Sequence, residues 1–141
     1  MAHTRLRRHF MDIDAYNRGI NNESTAGDMG VLFTKLASGQ VVTPTASSEI
    51  LGLLTRNSND NVDFLTKSLS PRPQVAHIAG VLETNDSTPE FHHDAGVFYY
   101  QGRPAYILSV FTSSGNQNRK SVLGQLGSAS AALWQAVTST N

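Results

Sequence analysis

Apolar residues in the first third of the chain recur at helical spacing. Met29, Leu32, Phe33 and Leu36 fall at i, i+3, i+4 and i+7, one stripe of an α-helix. Thr25 with Asp28 three residues later resembles a capping box at its start, and Gly39 is placed to end it in a left-handed turn. Thr43-Pro44 opens a second helix, an N-cap followed by proline where the missing N–H costs nothing. Ala46, Ile50, Leu53 and Leu54 form its stripe, and Arg56 sits in its last turn near the negative dipole end. After the polar stretch 57–61, Val62, Leu65 and Leu69 suggest a short third helix, stopped by Pro71 and Pro73. Residues 1–23 are polar and read as irregular.

Beyond Pro73 the pattern becomes extended. Gln74 to Val81 reads as a strand, followed by a polar loop over 83–90. Phe91 to Tyr100 and Pro104 to Thr112 flank Gln101-Gly102-Arg103, a short glycine-bearing connection of an antiparallel hairpin. A polar loop over 113–118 leads to a last helix with the stripe Val122, Leu126, Ala129, Leu133 and Val137, and Trp134 alongside. This order predicts an α+β domain in which helices, including a long C-terminal one, cover an antiparallel sheet of three strands. The run from Tyr106 to Phe111 is nearly continuously apolar, the signature of a strand covered on both faces and usually central. The hairpin gives it one neighbour, and a long uncharged edge is a liability unless something pairs with it. Either a strand is missing from this chain or this strand is a buried edge.

Composition narrows the function classes. With 141 residues the chain fits a single domain, 1–141, large enough to bury a core. Eleven Lys+Arg balance eleven Asp+Glu, which argues against a nucleic-acid partner, since a dedicated binder needs a basic surplus. Arg5, Arg7 and Arg8 stand together but beside Asp12 and Asp14, and read as a solvated surface. No apolar run approaches the roughly 20 residues of a membrane span, and no signal peptide opens the chain. Without cysteine there is no disulfide framework, thiolate nucleophile or Cys-ligated metal.

Several runs in order resemble a known family. Thr4-Arg5-Leu6-Arg7-Arg8-His9-Phe10-Met11-Asp12, followed by Ser24-Thr25-Ala26-Gly27-Asp28-Met29, resembles the stretch after the active-site loop of class A β-lactamase-like and penicillin-binding-type serine hydrolases. Val75-Ala76-His77-Ile78-Ala79-Gly80 is similar to that family's strand bearing Lys-Thr-Gly. His93-Asp94-Ala95-Gly96-Val97 and Gly102-Arg103-Pro104-Ala105-Tyr106-Ile107-Leu108-Ser109-Val110-Phe111-Thr112 resemble its next two strands. The resemblance covers the whole chain but only the C-terminal half of a family domain. It implies the β-lactamase/transpeptidase-like fold without its N-terminal strands and Ser-x-x-Lys helix. In that fold the N-terminal part supplies a strand beside the last one, which would explain the lone apolar strand.

The family's reaction requires a serine nucleophile, a lysine one helical turn away to manage its proton, and an electrostatic clamp on the acyl group. Three residues before Lys35, Lys67 and Lys120 stand Leu32, Phe64 and Gln117, so no Ser-x-x-Lys exists. The family's Ser-Asp-Asn motif is also absent; Ser58-Asn59-Asp60 only scrambles it and reads as ordinary turn residues. Where the family has Lys-Thr-Gly, His77 is followed by Ile78-Ala79-Gly80. Isoleucine removes the cation for a substrate carboxylate, and alanine removes a hydroxyl donor. Gly80 is retained, either for close backbone approach or as a strand-end glycine. The deacylating glutamate would fall near His9 to Asp12, where none stands; Asp12 reads as a maker of local turn hydrogen bonds.

His77, His92, His93 and Asp94 could hold zinc, but neighbours on a strand point to opposite faces, so His92 and His93 do not share an ion. A triad of Ser109, His77 and a carboxylate is conceivable, but Ser109 lies mid-strand with no elbow to expose it. Phe98, Tyr99, Tyr100 and Tyr106 read as cross-strand packing. The expectation is therefore no catalytic residue, cofactor or metal in the chain alone. It would be a catalytically incompetent structural or binding module, forming a homodimer or pairing with an N-terminal partner segment through the strand Ala105–Phe111. The alternative is half of a split or truncated serine hydrolase, active only with a chain supplying Ser-x-x-Lys. Family members work mostly outside the cytoplasm, but the sequence itself leaves the compartment open.

Overall fold

A computed structural model of the protein describes residues 1–56, 64–82, 90–114 and 119–139. The elements run α1 (Ile13–Asn17), α2 (Ala26–Ala37), α3 (Pro44–Arg56), β1 (Gln74–Leu82), β2 (Glu90–Tyr100), β3 (Arg103–Ser114) and α4 (Arg119–Ser139). Val62, Ser58-Asn59-Asp60 and residues 83–89 and 115–118 lie outside the described residues, while Glu90 opens β2 and Ser113 and Ser114 end β3 instead of belonging to the predicted loops.

The helix starts follow their caps. Thr25 Oγ1 accepts the Asp28 N–H at 3.1 Å, and Thr43 Oγ1 accepts the Ala46 N–H at 3.0 Å, as the sequence predicts. Gly39 ends α2 with φ +71°, a backbone that side chains rarely adopt. The capping box is one-sided, however. The Asp28 carboxylate accepts from Ala2 N at 3.1 Å, His3 N at 2.8 Å and the Thr4 hydroxyl at 2.7 Å. It thereby ties the first residues to the start of α2. The Thr4 hydrogen bond, helped by the backbone N–H groups and opposed by burial, holds its carboxyl below the ordinary value.

Residues 5–23 are more ordered than their lack of period suggests. Arg5 and Glu23 exchange backbone hydrogen bonds of 2.9 and 3.0 Å, and Asn22 Oδ1 accepts from Arg7 N and Arg8 N. The ends of this loop are thus pinned together. Asp12 caps α1 by accepting the Ala15 N–H at 2.9 Å. Arg7 pairs with Glu23 at 3.2 Å, and Arg8 lies 5.5 Å from the Tyr16 ring centroid, so two of the three clustered arginines engage this chain itself.

The sheet is antiparallel in the order β1-β2-β3. The hairpin turns on Gln101 and Gly102, φ +51° and +74°, the signs that a two-residue turn needs to match strand twist. A register shift between Phe98 and Tyr99 gives β3 one extra residue, with Tyr106 opposite Phe98 and Pro104 opposite Tyr99.

Both faces of the sheet are covered. On one, Val75 and Phe98, with Tyr106, Leu108 and Val110, pack against Leu65, Leu69 and Trp134. On the other, Ala95 and Val97, with Tyr99 and Ile107, pack against Phe33 and Leu36 of α2 and Ile50, Leu51 and Leu54 of α3. The domain is therefore α+β, helices enclosing a three-stranded antiparallel sheet.

Three local expectations are corrected. Residues 64–68 form turns instead of a helix, although Leu65 and Leu69 are buried as expected. On α3, Leu51 faces the core and Leu53 is exposed. On α4 the buried residues are Gly127, Ser130 and Trp134, with Leu126 and Ala131 beside them, while Ala129 is exposed and Leu133 is 38% exposed. The stripe is rotated because Trp134 seats in the core and the Ser130 hydroxyl donates to the Leu65 carbonyl at 2.7 Å. A Cβ on Gly127 would also come within 3.3 Å of the Phe64 carbonyl oxygen, so a small residue suits that contact. Among the described residues no helix is long and apolar enough to cross a membrane.

Candidate functional site: the degenerate motif strand

Alternation along β1 separates His77, Ile78, Ala79 and Gly80. His77 and Ala79 point to the α4 face, Ile78 and Gly80 to the opposite one. In the register His77 lies opposite Gly96 and Ala79 opposite Asp94. The imidazole reaches diagonally across the pair, its Nδ1 2.9 Å from Asp94 Oδ1. The two residues are 5% and 1% exposed, and each makes a further interaction. A buried charge is tolerated only when paired and hydrogen-bonded, so this contact accounts for polar groups in the middle of an apolar sheet.

Gly96 is what permits it. A Cβ there would lie 2.4 Å from the His77 Cβ and 2.7 Å from the Ala76 carbonyl oxygen. Both distances are far inside van der Waals contact. The sequence carried a signal for this arrangement, since a glycine in the middle of a strand marks a close approach.

On the other face, Ile78 is 58% exposed, and a Cβ on Gly80 would meet nothing within 4 Å. Among the described residues nothing approaches Gly80 closely. Ile78 thus presents an exposed alkyl group, and Ala79 a methyl. Of the lysines with described side chains, Lys35 and Lys67 are exposed, on α2 and in the 64–68 turn.

The other candidates disperse. His93 is on the face opposite His77 and Asp94, stacked on Phe111 with centroids 4.2 Å apart and planes at 12°. Its Nδ1 accepts the Thr112 N–H at 3.2 Å. His92 is buried, and its carbonyl accepts the Thr112 hydroxyl at 2.7 Å. His77, His93 and Asp94 therefore do not converge as a zinc set, and among the described residues no three His, Asp or Glu side chains do. Ser109 lies opposite Ala95, on the other face from His77, so strand parity forbids the conceivable triad. Asp12 is occupied as the cap of α1.

The aromatic residues pack across strands as expected. Phe98 and Tyr106 stack at 4.6 Å, and Tyr100 meets Trp134 edge-on at 5.7 Å. Tyr99 packs on the opposite face. Burial pushes the Tyr106 phenol up to about 12. Its hydroxyl has no hydrogen-bond partner among the described residues.

Known proteins share the fold. Over residues 1–137 the chain matches the sequence profile described as the beta-lactamase enzyme family. The TLA-3 extended-spectrum beta-lactamase aligns with 89% of this chain at a TM-score of 0.71 and 16% sequence identity. A variant of the TLA-1 extended-spectrum beta-lactamase aligns with 87%, also at 0.71, with 17% identity. The matched regions make up 46% and 45% of those two proteins, so this chain spans less than half their length. No curated protein matches it. A profile match along nearly the whole chain, on the fold that the two solved structures share, shows that the chain belongs to the β-lactamase enzyme family.

Proposed function

We propose that this chain by itself performs no acyl transfer and is a structural or binding module, the C-terminal, sheet-bearing part of a β-lactamase-like domain. The observation that carries this reading is Ile78-Ala79-Gly80 on β1. An exposed alkyl group at the lysine position has no charge-assisted hydrogen bond to offer an anionic substrate group. The alanine offers no donor. No serine stands three residues before any lysine in the chain, so an activated hydroxyl of the family type cannot form on one helical face.

The module associates through β3. Among the described strands β3 has a single neighbour, and Tyr106 to Phe111 are only half-buried although nearly all apolar. Antiparallel pairing of Ala105–Phe111 with its copy would extend the sheet across a two-fold axis. Size-exclusion chromatography with light scattering tests this: the expected result is a dimer at micromolar concentration, and a stable monomer overturns self-association.

One observation favours a second reading. The chain matches less than half of each solved β-lactamase, so a separate segment bearing Ser-x-x-Lys could occupy the same β3 edge and rebuild a serine hydrolase for β-lactams or peptidoglycan-like peptides. Such a complex would still lack the motif lysine and would hydrolyse charged β-lactams weakly. In that case the light-scattering mass would be that of a monomer, rising only when the complementing segment is added.

A further inference from the structure

Half of the large apolar side chains that the described residues expose fall in one short stretch. Leu6, Phe10, Met11, Ile13, Tyr16 and Ile20 are all on the surface, Leu6 at 85% and Phe10 at 92%. Exposed apolar residues are ordinary when scattered singly; gathered together they mark a surface for a protein or a membrane. The stretch is not loose chain. The backbone bonds between Arg5 and Glu23 close its ends, and Asn22 Oδ1 accepts from Arg7 N and Arg8 N. Inside it α1 starts on the Asp12 cap, buries Ala15 and leaves Ile13 and Tyr16 outside. The apolar side chains are therefore held outward by a closed loop.

Charge selects what they meet. Arg5 and Arg18 are exposed, and among the described residues neither makes an ion pair. Arg8 lies over the Tyr16 ring at 5.5 Å and donates only a 3.4 Å bond to the His9 carbonyl. Of the three carboxylates in the loop, Glu23 pairs with Arg7 at 3.2 Å and Asp12 accepts the Ala15 N–H. Asp14 alone is left to oppose the arginines. An apolar protein surface laid over this loop would strand its guanidinium groups, because a buried charge needs a partner. At a lipid boundary hydrocarbon and phosphate lie within one side chain's length of each other, which suits arginines interleaved with apolar groups.

We propose that the 5–23 loop is an interfacial anchor for an anionic lipid surface. Leu6, Phe10 and Met11 enter the edge of the acyl layer, and Arg5 and Arg18 meet the lipid phosphates. The loop is distant in sequence from the β3 edge, and the inference does not depend on how β3 associates or on the family chemistry.

Sedimentation of the full chain with vesicles of equal parts phosphatidylglycerol and phosphatidylcholine, against phosphatidylcholine alone, tests it. The expected result is binding about tenfold tighter to the anionic vesicles, weakened by added salt. Phe10→Ser should weaken that binding by about tenfold and Arg5→Gln by about fivefold. Phe10→Trp reads the contact directly, since its side chain replaces one that is already exposed. Vesicles with brominated acyl chains should quench the introduced indole and spare Trp134, which is buried in the core. Absence of sedimentation with the anionic vesicles overturns the proposal, as does equal binding to the neutral ones. Binding that is unchanged in Phe10→Ser, or that leaves the introduced indole unquenched, assigns the contact to another surface and overturns it too.

Discussion

β2 and β3 lie side by side in one sheet, and their burial runs opposite to their composition. β2 carries His92, His93 and Asp94, yet Asp94 through Phe98 are all buried. β3 is apolar almost without interruption from Tyr106 to Phe111 and is half-buried throughout. Neighbours explain the inversion. β2 has a strand on each side and β3 has one among those described. A polar residue can sit in the most buried strand when its partner is built into the next one, as Asp94 is by His77. An apolar strand cannot bury itself without a neighbour. The difference locates what the described residues bury internally and what they leave half-exposed.

Breaking the polar pair in β2 should have the largest effect. Asp94→Ala leaves the His77 imidazole buried without its carboxylate, and urea unfolding should show a loss of about 3–5 kcal/mol. Gly96→Ala tests the same contact from the steric side. With the new Cβ 2.4 Å from that of His77, the strands must separate, and the expected loss is about 3 kcal/mol. A change below about 1 kcal/mol in either variant would remove the basis for treating this pair as the anchor of β1 on β2.

On β3 the corresponding polar atom contributes little. The Tyr106 hydroxyl has no partner among the described residues, so Tyr106→Phe should be neutral within about 0.5 kcal/mol at pH 7. The difference should appear in alkali. The phenol is held protonated in the folded chain up to about 12, against 10.0 ordinarily. The unfolded chain therefore loses this proton first, and the stability that the raised value provides is complete below pH 10 and lost as pH rises toward 12. Tyr106→Phe should flatten that decline.

Much of the architecture was legible because its determinants are local. Thr25, Gly39 and Thr43-Pro44 mark helix ends through their own backbone chemistry, and Gln101-Gly102 encodes a hairpin through positive φ. What could not be read depends on contacts distant in sequence. The face that α4 buries is set by Trp134 and by the bond from Ser130 to Leu65, which is 65 positions away. The single turn of α1 rests on the Asp12 cap and buries only Ala15, so no hydrophobic period announces it. On β1, the residue types of Ile78 and Ala79 were plain in the sequence. The His77–Asp94 contact was not, because a diagonal pairing needs the register, although Gly96 hinted at it.

Intact-mass analysis after incubation with a reactive penicillin tests the central claim most directly. An isolated chain without an activated serine should keep its unmodified mass through prolonged exposure. A stoichiometric covalent adduct, mapped to one of its own serines, would contradict that account.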